Sequence, residues 1–181
     1  MGMNIKIWND AWGLGLPTRN LHHTDVNASA LLVLDSINPL SRLVYTTLWK
    51  LQLPVKVKIT FWKIFHNYVP SYSNIYHKCL RASALYPRYL VSNETLEYIF
   101  RDFQLVFAIW GSLRITWPSE ALIVSLQDWL LSIFTVSAGE VIRKVVCALW
   151  FIWHARHRWV HNNNAIKIHV LVRRVQAYLL E

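Results

Sequence analysis

Tyr86, Tyr89, Tyr98 and Phe103 follow one another with the spacing Tyr-x2-Tyr-x8-Tyr-x4-Phe. That is the grid of a four-ligand metal knuckle. Such a site needs thiolate or imidazole donors, and a tight turn points a close pair of them at one ion. A phenol that ionises near pH ~10 is a poor zinc ligand at neutral pH, and a phenyl ring offers no donor at all. Taken alone, the four side chains predict aromatic packing rather than coordination.

Other residues capable of chemistry are sparser. His154, His157 and His161 fall at i, i+3 and i+7 and share one face of a predicted helix. A metal site or a pH-sensitive patch can be built from such a set. No acidic cluster accompanies them, so a polar edge beside Trp150, Trp153 and Trp159 is the plainer reading. Polymerase or ribonuclease H chemistry needs several carboxylates around divalent metal, and the ten acids here are scattered. Glu94 and Glu97 read as favourable first-turn charges of a helix. Gly13-x-Gly15 is too short for a phosphate loop. Cys79 and Cys147 are too far apart for a metal pair or a disulfide framework and point to a reducing compartment.

Charge supplies the broadest functional signal. The formal net charge is +9. No acid lies between Asp35 and Glu94, a stretch that holds Arg42, Lys50, Lys56, Lys58, Lys63, Lys78, Arg81 and Arg88. Lys56, Lys58 and Lys63 interleave with Trp62, and Arg156, Arg158, Arg173 and Arg174 gather around and after Trp159. Basic groups in this setting can track phosphates while exposed rings stack on bases. These seven are the candidate nucleic-acid contacts, with nonspecific nucleic acid the expected partner; an ordinary solvated basic face is the bland alternative. No uncharged apolar run reaches the roughly 18 residues that span a bilayer, and 121–139, the nearest, contains Asp128. The opening residues carry Asp10 and no apolar run, so no secretory leader is expected.

The elements that position these groups are helices. Hydrophobic residues make up 54% of the 181 residues, with ten Trp, which argues for a packed core rather than disorder. Residues 1–40 are punctuated by Gly13, Gly15, Pro17 and Pro39 and predict an irregular segment. Helices are then expected over 42–52, from Pro54 through 68, from a Ser71 cap to Arg81, and from a Ser92 or Asn93 cap to Leu113 with a break near Asp102. Three more follow, over 118–134, 140–161 and 166–180. On the second, Val57, Phe61, Ile64 and Tyr68 form an apolar stripe and Lys56, Thr60, Lys63 and Asn67 a polar one. Residues 85–91 read as a loop or small hairpin. The fold class expected is mainly α, with no internal repeat.

The words around the aromatic grid have a further pattern. Trp49, Lys50, Pro54, Lys56, Val57, Phe61, Trp62, Asn67 and Pro70 are followed by Pro87, then Glu94-Thr95-x-Glu97 with Phe100, then Trp110. In order and spacing this resembles the reverse-transcriptase zinc-binding domain found in polyproteins of plant non-LTR retroelements. "IWNDAWGLGLP" is similar to the segment that follows the polymerase in that family. "LWFIWHARHRWVH" is similar to the one that precedes ribonuclease H, with Arg156 kept and His157 in place of an Asn. The resemblance implies a segment at 1–40, a zinc-binding domain at 41–115 and a helical linker at 116–181, with the two catalytic domains outside this stretch. The four family ligand positions fall on Tyr86, Tyr89, Tyr98 and Phe103, so it also implies a degenerate knuckle and an ancestral zinc that has been lost. Each replacement is reachable by a single nucleotide change from Cys or His. The expected function is therefore that of a non-catalytic remnant whose ancestral role is nucleic-acid contact or domain positioning in reverse transcription. A helical protein–protein interaction module without a nucleic-acid role is the alternative.

Overall fold

The computed structural model describes residues 39–85, 92–115, 125–162 and 166–180. All of them belong to one compact unit, Asn38–Glu181. The irregular segment expected over 1–40 lies outside the described residues except for its last two, which open the first helix. The fold is mainly helical, as the patterning predicts.

Helix α1 spans Pro39–Lys50 and α2 spans Val55–Phe65. Pro54 sits at the α2 N-cap with φ −57°, an angle its ring fixes in advance. The helix ends where Asn67 takes φ 56°, and the Tyr68 N–H bonds back to the Lys63 carbonyl at 2.7 Å. That is the left-handed termination Asn tolerates. Val57, Phe61 and Ile64 are buried as the stripe predicts, whereas Tyr68 lies past the helix end and is exposed.

Helix α3 is short, Tyr72–His77, and stops before the Arg81 expected for it. Its cap is the expected one: the Ser71 hydroxyl accepts the Asn74 N–H at 3.2 Å. The next helical stretch is capped by Thr95, whose hydroxyl accepts the Tyr98 N–H at 3.2 Å, rather than by Ser92 or Asn93. It runs into a π turn, Tyr98–Asp102, and restarts as α4, Gln104–Ser112. The break expected near Asp102 falls at Phe103, whose backbone is extended.

Helix α5 is Leu126–Val136. Ser125 is extended and caps it by accepting the Asp128 N–H at 3.1 Å; the helix start expected at Pro118 lies outside the described residues. Helices α6, Gly139–Asn162, and α7, Ile168–Leu180, close the chain. On α6, Ile142, Val145, Val146, Leu149, Ile152 and Trp153 make the apolar face.

One core runs through both the 41–115 and the 116–181 stretches. Helix α1 packs on α5, α2 on α6, and α7 on both α4 and α6. The Phe61 and Phe134 rings meet at 5.2 Å and tie α2 to α5. Trp110 of α4 meets Trp129 of α5 edge-on at 5.3 Å. Among the described residues no helix is long and apolar enough to cross a membrane.

Candidate functional site: the base of the aromatic loop and a basic groove

Residues 98 and 103 are five apart, and on an α-helix that places side chains about 140° from one another. The π turn changes this. The Phe103 N–H bonds to the Tyr98 carbonyl at 3.1 Å, an i to i+5 closure, and the two rings come to 5.8 Å between centroids. With Val106, Ile152, Ala155 and Trp159 they line a mainly apolar cavity of about 80 Å³. Tyr86 and Tyr89, the other two grid positions, lie outside the described residues. The residues on either side of that stretch, Leu85 and Asn93, form an antiparallel bridge. A phenol and a phenyl ring do not fit a zinc ion, and among the described residues no group of three or more His, Cys, Asp or Glu could hold a metal.

Directly after that bridge comes Glu94, whose side chain is fully buried. Its backbone N–H bonds to the Ala84 carbonyl at 2.8 Å, and its carbonyl accepts the Ser73 N–H at 3.2 Å. Its carboxylate accepts the Tyr72 N–H at 2.9 Å and the Arg156 Nε–H at 3.2 Å, with a second, shorter contact from Arg156 Nη2. The guanidinium also lies 4.9 Å from the Tyr72 ring and 5.0 Å from the Trp153 ring. A buried carboxylate and a buried guanidinium each need such partners to offset desolvation. One residue thus ties α3, the loop foot and α6 together.

This corrects two expectations. Glu94 is not a first-turn helix charge but the buried half of an ion pair. Arg156 is not free for nucleic acid, since its charge is spent on Glu94 and its side chain is buried. Glu97 stands in the first turn after the Thr95 cap, as expected, and also accepts the Leu126 N–H at the start of α5 at 3.4 Å. Both partners of the ion pair stood in the sequence as separate words, and nothing in spacing alone joins positions 62 residues apart.

The remaining basic candidates divide. Lys58 is buried and donates to the Trp49 carbonyl at 3.0 Å, with its ammonium 5.7 Å from the Trp49 ring. It closes the last turn of α1 and is not a phosphate contact. Lys56 extends from α2 to lie 5.3 Å from the Trp150 ring of α6. Arg158 of α6 and Arg174 of α7, both exposed, wall a groove with Trp150, Phe151, His154 and Leu171. The Trp150 ring is packed by His154 at 4.5 Å and by Tyr178 at 5.8 Å. Lys63 and Arg173 are exposed but do not line this groove. The expected histidine face divides too. His154 belongs to the groove, while the His157 and His161 rings meet tilted at 4.2 Å beyond it. Burial and the cations His157 and Lys56 hold the His154 pKa below its ordinary value.

Sequence patterning misses one polar cluster altogether. Trp62 Nε1–H donates to the Tyr45 hydroxyl at 3.0 Å, and that hydroxyl shares a further hydrogen bond with His66 Nε2. The Tyr68 ring stacks on His66 at 5.6 Å. Burial pushes the His66 pKa down from 6.5. An imidazole disfavoured as a cation in the fold is protonated more readily in the unfolded chain. Stability from this group is therefore complete above about pH 6.5 and is lost as pH falls below it. His154 and His157, whose pKa values are also lowered, act in the same direction. Thermal unfolding at pH 7.5 and 5.5 should show a lower Tm at the acid value, and His66→Gln should shrink that difference. An unchanged difference in the variant would remove His66 from the account.

No protein-family model matches this chain, and neither a curated protein nor a solved structure matches it.

Proposed function

We propose that the chain is a non-catalytic, metal-free remnant of the zinc-binding region of a retroelement reverse transcriptase. In this reading it acts as a helical scaffold that positions neighbouring segments and contacts nucleic acid nonspecifically through its basic side. The observation that carries the reading is the Glu94–Arg156 pair. The two words that bear the resemblance most distinctly, "NETLEYIF" and "WFIWHAR", are held to each other by one buried ionic contact, so they behave as parts of a single device. The juxtaposed Tyr98 and Phe103 rings, 5.8 Å apart, add support, because two positions of the grid lie beside each other.

A protein-interaction module is the second reading. Phe107, 69% exposed, and Val136, 83% exposed, are the large apolar side chains such a partner would cover.

The test is to rebuild the cage with Tyr86→Cys, Tyr89→Cys, Tyr98→His and Phe103→Cys. The rebuilt chain should take up a single zinc per molecule and unfold at higher temperature when loaded. Structural zinc in small modules supplies about 10–16 kcal/mol of apparent binding energy. The unaltered chain should take up none. Stoichiometric zinc in the unaltered chain, or none in a folded rebuilt one, would overturn the reading.

A further inference from the structure

We infer that the groove between α6 and α7 holds a phosphate of a single-stranded polynucleotide, with Arg158 and Arg174 as its donors. This rests on the nucleic-acid part of the reading above and assigns it a place. Three observations carry it. The first is charge: Arg158 and Arg174 wall the groove, His154 lines it, and Lys56 reaches to within 5.3 Å of the Trp150 ring at its edge. Among the described residues no carboxylate lines it. Guanidinium groups on both walls suit an oxyanion, which can accept from both. The second is shape. The groove has a volume of about 190 Å³ and is concave between two helices. A flexible strand can lower one phosphate into it, whereas a duplex presents its phosphates on a convex surface. The third is the state of the aromatic floor. Trp150 is already packed by His154, Tyr178 and Lys56, so no base needs to stack there. Recognition is then of the backbone and indifferent to sequence.

A pH dependence follows from the groups around His154. Lys56 faces it from α2, His157 and Arg158 from its own helix, and Arg174 and Tyr178 from α7. Burial first, and then the cations among these groups, make the empty groove resist protonation of the imidazole, and a bound anion favours it. A phosphodiester keeps its charge throughout this range. Affinity should therefore rise as pH falls into the range where His154 takes up its proton, and His154→Gln should flatten the rise.

The experiment uses fluorescence anisotropy with a short labelled oligothymidylate at low salt. Arg158→Gln with Arg174→Gln is compared with the charge-matched pair Arg42→Gln with Lys78→Gln, all four positions being exposed. The groove pair should weaken binding about tenfold and lower the slope of log K against log salt by about 1. The control pair should change affinity less than about threefold. Equal losses in both pairs would overturn the groove and leave the general nucleic-acid reading standing. No binding by the unaltered chain would end both. Equal affinity for a duplex of the same length would overturn the single-strand assignment. Equal displacement by polyglutamate would show a site for acidic chains in general and overturn the phosphate assignment.

Discussion

Replacing Glu94 with alanine is expected to destabilise the protein by about 3–5 kcal/mol, a large share of the roughly 5–15 kcal/mol that holds a domain of this size. The guanidinium of Arg156 would stay in a site with little access to water, and its carboxylate partner would be gone. The Tyr72 N–H would lose its acceptor as well. Glu94→Gln keeps an acceptor for that N–H and should fall between the two. The informative comparison is the double replacement, Glu94→Met with Arg156→Met. Removing both charges leaves neither ion stranded, so the pair should lose less than Glu94→Ala alone. Urea unfolding followed by far-ultraviolet circular dichroism measures all of these. Hydrogen exchange should show the loss first in α3 and at the Leu85–Asn93 bridge, because these are the parts Glu94 holds. A Glu94→Ala variant within about 1 kcal/mol of the parent would mean that surrounding packing, not the ion pair, fixes the loop foot.

The helices were legible because burial follows a 3.6-residue period. Val57, Phe61 and Ile64 stand on the predicted face of α2 and are buried there. Caps were legible where side-chain chemistry and position coincide, as at Ser71. They were misread where two candidates lay close together: Ser92 and Asn93 were favoured, and Thr95 does the capping. What sequence could not supply was long-range partnership. Lys58 looked like a nucleic-acid contact alongside Lys56 and Lys63, yet it is buried and its ammonium reaches the end of α1. Arg156 looked like one more cation on a basic helix, and its partner is in another segment. The Tyr45–His66–Trp62 cluster is assembled from two helices and a turn, so no periodicity announces it. The π turn is the subtlest case. The x4 interval between Tyr98 and Phe103 was visible, but only the i to i+5 hydrogen bond explains how two residues so spaced come ring to ring.

That turn depends on Trp110, and Trp110→Ala is expected to lose about 3–5 kcal/mol from the removed ring alone. The side chain is 1% exposed and meets the Trp129 ring edge-on at 5.3 Å. Its Nε1–H donates to the Phe100 carbonyl at 2.8 Å. Phe100 lies in the middle of the π turn, where carbonyls are spaced differently from an α-helix, so an indole N–H from the following helix supplies a partner. Alanine would leave both a cavity and a buried acceptor without that donor, and the second effect adds about 1–3 kcal/mol. Trp110→Phe separates the two contributions, since it keeps most of the ring and loses the donor. It should cost about 1–3 kcal/mol by the acceptor's desolvation. If Trp110→Phe instead matches the parent in urea unfolding, the π turn is held by its own backbone and by the packing of Ile99 and Phe100. The rebuilt metal cage links this core contact to the site. There Trp110→Phe should weaken zinc affinity while leaving helix content near the parent value, because residues 98 and 103 would lose the closure that brings them together. Unchanged affinity would place the control of that geometry in the loop rather than in the core beneath it.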